Sequence, residues 1–188
     1  LVTLGLPNGV GFVEASYAIW KLGATPQPVS FRLPKGELEQ IMELAKTPIV
    51  IADFKHEIDR PLVTIADIAA HAGREGADDD ADLPDATAPI SKAPTSGGST
   101  GRPKLILAGQ PGVTPKETPE LGGWRLTGDS IAVLPAPLYH NAGFGMMMSA
   151  MAMGCHLVVM PRFDPEATLA EIEARKATWV YVVPTMMN

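Results

Sequence analysis

A single cysteine, Cys155, in 188 residues excludes an intrachain disulfide and fits a reducing cytoplasm. It lies in an apolar run, so it is expected in the core. Positive charge is scarce too: 15 Lys and Arg against 21 Asp and Glu leave a formal net charge of -6, which offers no basic surface to nucleic acid or an anionic membrane. No run approaches the roughly 20 apolar residues that a membrane span needs. Asp78, Asp79, Asp80, Asp82 and Asp85 have no partner ligands or ordered spacing, so residues 72–89 read as a solvated acidic linker and no metal site is assigned. Neither an initiator methionine nor a signal-peptide pattern precedes the strand-like opening Leu1 to Leu6, and the chain stops soon after the apolar run Trp179 to Val183. Both are expected of a piece of something larger. At 46% hydrophobic, the chain has the composition of an ordinary globular protein.

What is present is concentrated in Ser96-Gly97-Gly98-Ser99-Thr100-Gly101-Arg102-Pro103-Lys104. Glycines permit the φ > 0 conformations that turn several N–H groups and hydroxyls toward one anion, which is phosphate chemistry. Lys104 adds a point charge, and Pro103 before it disfavours a helix, so the chain should leave the loop extended, into Lys104-Leu105-Ile106-Leu107. A Walker loop does the opposite, since its lysine opens a helix. This loop is expected between two strands.

Around it the chain alternates. Leu1 to Leu6 reads as a strand, Val10 to Leu22 as a helix stopped by Gly23, and Thr25 to Val29 as an edge strand because of Pro26 and Pro28. Pro34 to Lys46 reads as a helix with Leu38, Ile41, Met42 and Ala45 on one face, Pro48 to Ala52 as a buried strand, and Ile65 to His71 as a short helix. After a loop over 109–128, Asp129 to Ala136 is a strand running into Pro137-Leu138-Tyr139-His140, then a helix to Gly154 and a strand from Cys155 to Met160. Asp164 should cap a helix opened by Pro165, with Leu169 and Ile172 on its buried face, before a last strand from Thr178 to Val183. The pattern is α/β, a mostly parallel sheet with helices on both faces. His140 stands past a strand's C-terminal end, where parallel sheets gather ligands. Five methionines between 146 and 153 read as core before they read as an acyl tunnel.

The glycine-rich run resembles the phosphate-binding signature of the adenylate-forming superfamily, the acyl-CoA synthetases, luciferases and adenylation domains, usually Thr-Ser-Gly-Thr-Thr-Gly-x-Pro-Lys. Gly97 departs from it by removing one hydroxyl. Tyr139-His140-Asn141-Ala142-Gly143 after Pro137-Leu138 is similar to a second motif of that family, whose histidine lies beside the acyl and phosphate groups. Leu4-Gly5-Leu6-Pro7-Asn8-Gly9, with Lys21-Leu22-Gly23-Ala24 at a helix end, looks like the opening of the large domain. Thr127-Gly128-Asp129 invites comparison with the ribose-binding tripeptide of these enzymes, but it precedes the histidine motif and reads as an ordinary turn.

The resemblance implies a partial N-terminal domain over 1–188, with a first α/β portion over 1–71, the linker over 72–89, and the loop and a second α/β portion over 90–188. It implies a cytoplasmic ligase that uses ATP, Mg2+ and coenzyme A to activate a carboxylic acid, with an apolar acid of fatty-acid or bile-acid type expected. Ser96, Gly97, Gly98, Ser99, Thr100, Gly101 and Lys104 would bind ATP phosphates, His140 and Lys104 would be catalytic, and Tyr139, His140, Gly143 and Phe144 would line the acyl pocket. His140 is expected to face a groove running toward Ser99 and Thr100. The family's magnesium and adenine segment, ribose aspartate, hinge and C-terminal lid come later than these motifs, so the chain alone is expected to be inactive and to self-associate through exposed strand edges. The rival reading is a noncatalytic α/β domain that binds a phosphorylated metabolite.

Overall fold

Short apolar runs alternating with longer stretches of helical period leave each strand a helix to return it beside its neighbour, which is how parallel ladders are connected. The computed structural model describes residues 1–54, 57–72, 83, 85–96, 103–112 and 124–187. They divide into two compact units, one within Leu1–Pro7 and Gly11–Val113, the other within Asn8–Val10 and Thr114–Asn188. The linker of 72–89 falls largely outside the described residues.

In the first unit, β1 (Val2–Gly5), β2 (Pro26–Pro28), β3 (Val50–Ala52) and β4 (Leu62–Val63) form a parallel sheet in the order β2-β1-β3-β4. The two-residue β4 has no counterpart in the sequence reading. β2 lies at an edge, as its two prolines require. Helix α1 (Val10–Lys21) is followed by Gly23 at φ +70°, and α2 (Lys35–Ala45) buries the expected stripe Leu38, Ile41, Met42 and Ala45. That stripe packs with Val29, Val50 and Ala52. Helix α3 (Ile65–Ala72) follows β4.

In the second unit, β7 (Ile131–Leu134) lies between β8 (His156–Val159) and β9 (Trp179–Val180), all parallel. Helices α4 (Asn141–Ala152) and α5 (Pro165–Arg175) make the crossovers, and a 3₁₀ turn, Pro184–Met186, follows β9. The side chain of Asp164 caps α5 by accepting from Ala167 N at 2.9 Å. Burial departs from the expected pattern in two places, on α5 and just before β8. Leu169 is 67% exposed and Ile172 half-buried, and the residue that α5 buries is Thr168, whose hydroxyl donates to Asp164 O at 2.6 Å. Cys155 is half-buried at the margin of the cluster of Leu126, Ala132 and Ala150, and its thiol donates to Thr127 O at 3.2 Å. Burial raises the Cys155 thiol above its ordinary pKa. Of the five methionines, Met147 is fully buried and the other four are half-buried.

A chain of side-chain hydrogen bonds crosses the first sheet. Thr3 Oγ1 donates to Gln27 Oε1 at 2.7 Å and lies 2.8 Å from Thr47 Oγ1, and Gln27 Nε2 donates to Thr95 Oγ1 at 3.2 Å. A hydroxyl has one proton, so Thr47 must donate to Thr3, and the direction of the chain is set from Thr47 to Thr95. Thr3 and Gln27 are fully buried. Gln27→Leu leaves the Thr3 hydroxyl without its acceptor and is expected to cost about 1–3 kcal/mol. In urea unfolding, Thr3→Val with Gln27→Leu should cost less than the two changes summed; additive costs would contradict the chain.

Candidate functional site

The glycine-rich segment is closed by an antiparallel hairpin of β5 (Thr95–Ser96) and β6 (Lys104–Leu105), with Thr95 opposite Leu105 and Ser96 opposite Lys104. The chain thus leaves the loop extended after Pro103, as its composition predicts. Backbone pairing continues beyond these strands: Ile106 N donates to Pro94 O at 2.8 Å, Ala108 N to Lys92 O at 3.1 Å, and Gly112 N to Ala88 O at 2.9 Å. Gly97, Gly98, Ser99, Thr100 and Gly101 lie outside the described residues, and so does the groove expected between them and His140. Ser96 is half-buried and Lys104 exposed.

The first arm of this ribbon is fastened to the sheet edge. Ala93 N donates to Pro26 O at 3.0 Å, Thr25 Oγ1 to Ile90 O at 2.8 Å, and Trp20 Nε1 to Ser91 O at 2.7 Å, beside the Gln27 to Thr95 bond. Pro26 has no N–H, but its carbonyl still accepts, so an edge closed to a further full strand still holds the ribbon. Lys92 within this arm is half-buried, and desolvation lowers its ammonium below the usual lysine pKa. The sequence reading singled out neither Gln27 nor Lys92. A glutamine between two prolines of a strand is the signal that was available for Gln27.

In the second unit, His140 is the N-cap residue of α4, extended at φ -84° and ψ 146°, with no side-chain capping bond. Its side chain is exposed, and its ring centroid lies 4.5 Å from that of half-buried Tyr139. Gly143 and Phe144 are both buried, Phe144 completely. Of the four residues expected around an acyl group, His140 is exposed and Tyr139 half-buried, while Gly143 and Phe144 are buried. The absence of a side chain at Gly143 matters locally, because a Cβ there would collide with the carbonyl oxygen of Pro137 and lie 3.0 Å from its carbon. Thr127-Gly128-Asp129 is a turn closed by Ser130 N on Thr127 O at 2.9 Å, with Asp129 exposed.

The AMP-binding enzyme family matches residues 1–188. The chain belongs to that family. This AMP-binding enzyme chain is 31% identical over 189 residues to a feruloyl-CoA synthase of Amycolatopsis sp, a match covering 96% of the chain and 38% of that relative. It therefore spans well under half the length of the curated relative. Its fold is that of the N-terminal domain of FACL13 from Mycobacterium tuberculosis, with TM-score 0.78 and 22% identity over 100% of this chain and 50% of that one. It is also that of O-succinylbenzoate coenzyme A synthetase from Bacillus subtilis in complex with ATP and magnesium ion, with TM-score 0.76 and 17% identity over 99% and 51% of the two chains. Among the described residues, no helix is long and apolar enough to cross a membrane, and no group of three or more His, Cys, Asp or Glu could hold a metal ion.

Gly143→Ala forces α4 and the Pro137 carbonyl apart, and the expected cost is about 1–3 kcal/mol. Thermal unfolding checks this, and an unchanged Tm would contradict the packing.

Proposed function

We propose that the chain supplies the ATP- and acyl-binding part of a ligase that activates a carboxylic acid as its adenylate and then passes the acyl group to coenzyme A. A carboxylate oxygen attacks the α-phosphorus of ATP, the bond to the bridging oxygen breaks, and pyrophosphate leaves with its electrons. A thiolate then attacks the acyl carbon and releases AMP. The observation that carries this reading is the hairpin register, which sets Ser96 across from Lys104 at the two ends of the glycine-rich segment. Hydroxyls, glycine backbone N–H groups and an exposed cation are the donor set that a polyphosphate takes, so these residue types fit ATP.

A carboxylate is a weak nucleophile toward a phosphate crowded by negative charge, so catalysis here is positioning and neutralisation of the leaving group. Lys104, with Ser96, Ser99, Thr100 and the backbone of Gly97, Gly98 and Gly101, holds the triphosphate in line. Magnesium accompanies the nucleotide and screens its phosphates; no residue of this chain is assigned to it. His140, with Tyr139 beside it, orients the acid, and Gly143 and Phe144 are buried in the first turn of α4 that follows. His140 has no task as a general base, because the acid is already ionised at neutral pH.

The reading extends to an acid with an apolar body, a cytoplasmic enzyme, and the division into 1–71, 72–89 and 90–188. Exposed Leu169 and Val180 favour self-association of the isolated chain, which sedimentation velocity would register as a mass rising with concentration.

The intact ligase is expected to exchange pyrophosphate into ATP only when a carboxylic acid is added, and a screen of acids of graded size identifies its substrate. Exchange with no acid of the series would overturn the reading. Lys104→Ala should slow adenylate formation by about 10²-fold and thiol transfer much less, since only the first step handles the triphosphate. Equal slowing of both half-reactions would remove Lys104 from that role.

A further inference from the structure

The segment between β7 and α4 has little of its own to hold it. Pro135 and Pro137 have no N–H to donate, and the ladder to β8 ends with Met160 N on Leu134 O at 3.1 Å. The bond inside the segment, from His140 N to Pro137 O, is long at 3.3 Å. Asn8 supplies what the ladder does not. Its Oδ1 accepts from Leu138 N at 2.8 Å, and its Nδ2 donates to Ala136 O and to Met160 O, both at 3.0 Å. The amide can face only one way: Leu138 N donates and both carbonyls accept, so a flipped amide would set like against like at all three contacts. Asn8 belongs to the same compact unit as the segment it holds, although it lies 128 to 152 residues away in sequence.

We propose that Asn8 is a positioning residue for His140, its side-chain amide fixing where Ala136 to His140 leaves the sheet. The proposal rests on the reading of His140 as the side chain that orients the acid. One residue, Tyr139, separates Leu138 from His140, and on the other side Gly143 seats α4 against the Pro137 carbonyl. With Leu138 tied to Asn8 and Pro137 under Gly143, the His140 backbone has little room to shift. Without Asn8 the proline-rich stretch is free to slide relative to β7, and small displacements of a substrate-orienting group cost rate while leaving substrate binding intact.

The test uses the intact ligase with Asn8→Ala and the isosteric Asn8→Asp, which keeps an acceptor for Leu138 N and loses donors to the two carbonyls. By hydrogen exchange and mass spectrometry, the peptide spanning 135–141 should exchange about tenfold faster or more in Asn8→Ala, while the α5 peptide exchanges as in the parent. In ATP–pyrophosphate exchange, kcat should fall about tenfold with KM for ATP unchanged, and Asn8→Ala should add little to His140→Ala. The two carbonyls disfavour the charged carboxylate that Asn8→Asp introduces, so the deficit of that variant should shrink as pH falls and the carboxyl regains a proton to donate. Faster exchange throughout the second unit, no change at 135–141, or a loss that adds fully to that of His140→Ala would overturn the proposal. If Asn8→Ala does not fold, the pH dependence and 135–141 exchange of Asn8→Asp decide. A ligase that activates no acid sinks the functional reading, and the exchange at 135–141 still decides whether Asn8 holds the segment.

Discussion

The antiparallel register that sets Ser96 against Lys104 is the constraint on which the chemistry proposed for the first unit depends. Glycine-rich sequence alone is conformationally costly and has no preferred shape. Pairing of Pro94 with Ile106 and of Lys92 with Ala108 closes its two ends, and bonds from Trp20, Thr25, Gln27 and Pro26 fasten the incoming arm to α1 and β2. The parallel sheet therefore serves as a bench for the ribbon. Its edge strand carries prolines, which stop a further ladder, while its carbonyls and a buried glutamine remain to hold the arm that leads to the glycine-rich segment.

The second unit solves a related problem with different means. The Pro135-Ala136-Pro137 stretch that follows β7 has few backbone donors to hold it to its neighbours, and buried polar groups left unpaired are costly. Gly143 lets α4 come down on the Pro137 carbonyl, and the Asn8 amide pairs with Leu138 N and with the carbonyls of Ala136 and Met160. Both units thus use a side-chain amide where proline has thinned the backbone ladder. Each amide holds a stretch that leads to candidate chemistry, Gln27 at Thr95 ahead of the glycine-rich segment and Asn8 at Ala136 and Leu138 ahead of His140.

Much of the fold was legible in the sequence because its signals are local. The α2 stripe, the Gly23 stop, the Asp164 cap, the proline-marked edge strand and the extended exit after Pro103 all follow from a few neighbouring residues. What the sequence concealed depends on distant partners. The Leu169 and Ile172 spacing marks one face of α5, but spacing cannot say whether anything covers that face, and Leu169 is largely exposed. Cys155 sits in an apolar run yet ends at the core's margin against the Thr127 carbonyl. Pro7-Asn8-Gly9 has the composition of a turn, and no local feature announces its three bonds to Ala136, Leu138 and Met160. At the candidate site, motif and placement propose Lys104 and His140, whereas Gln27 and Asn8 required the structure.

The central claim is that the Ser96 to Lys104 segment holds a triphosphate. A crystal structure of the intact ligase with ATP tests it most directly. The account predicts phosphate oxygens within hydrogen-bond distance of Lys104 Nζ, Ser96 Oγ and backbone N–H groups of the glycine-rich segment. A triphosphate bound elsewhere, with Lys104 turned to solvent, would contradict it.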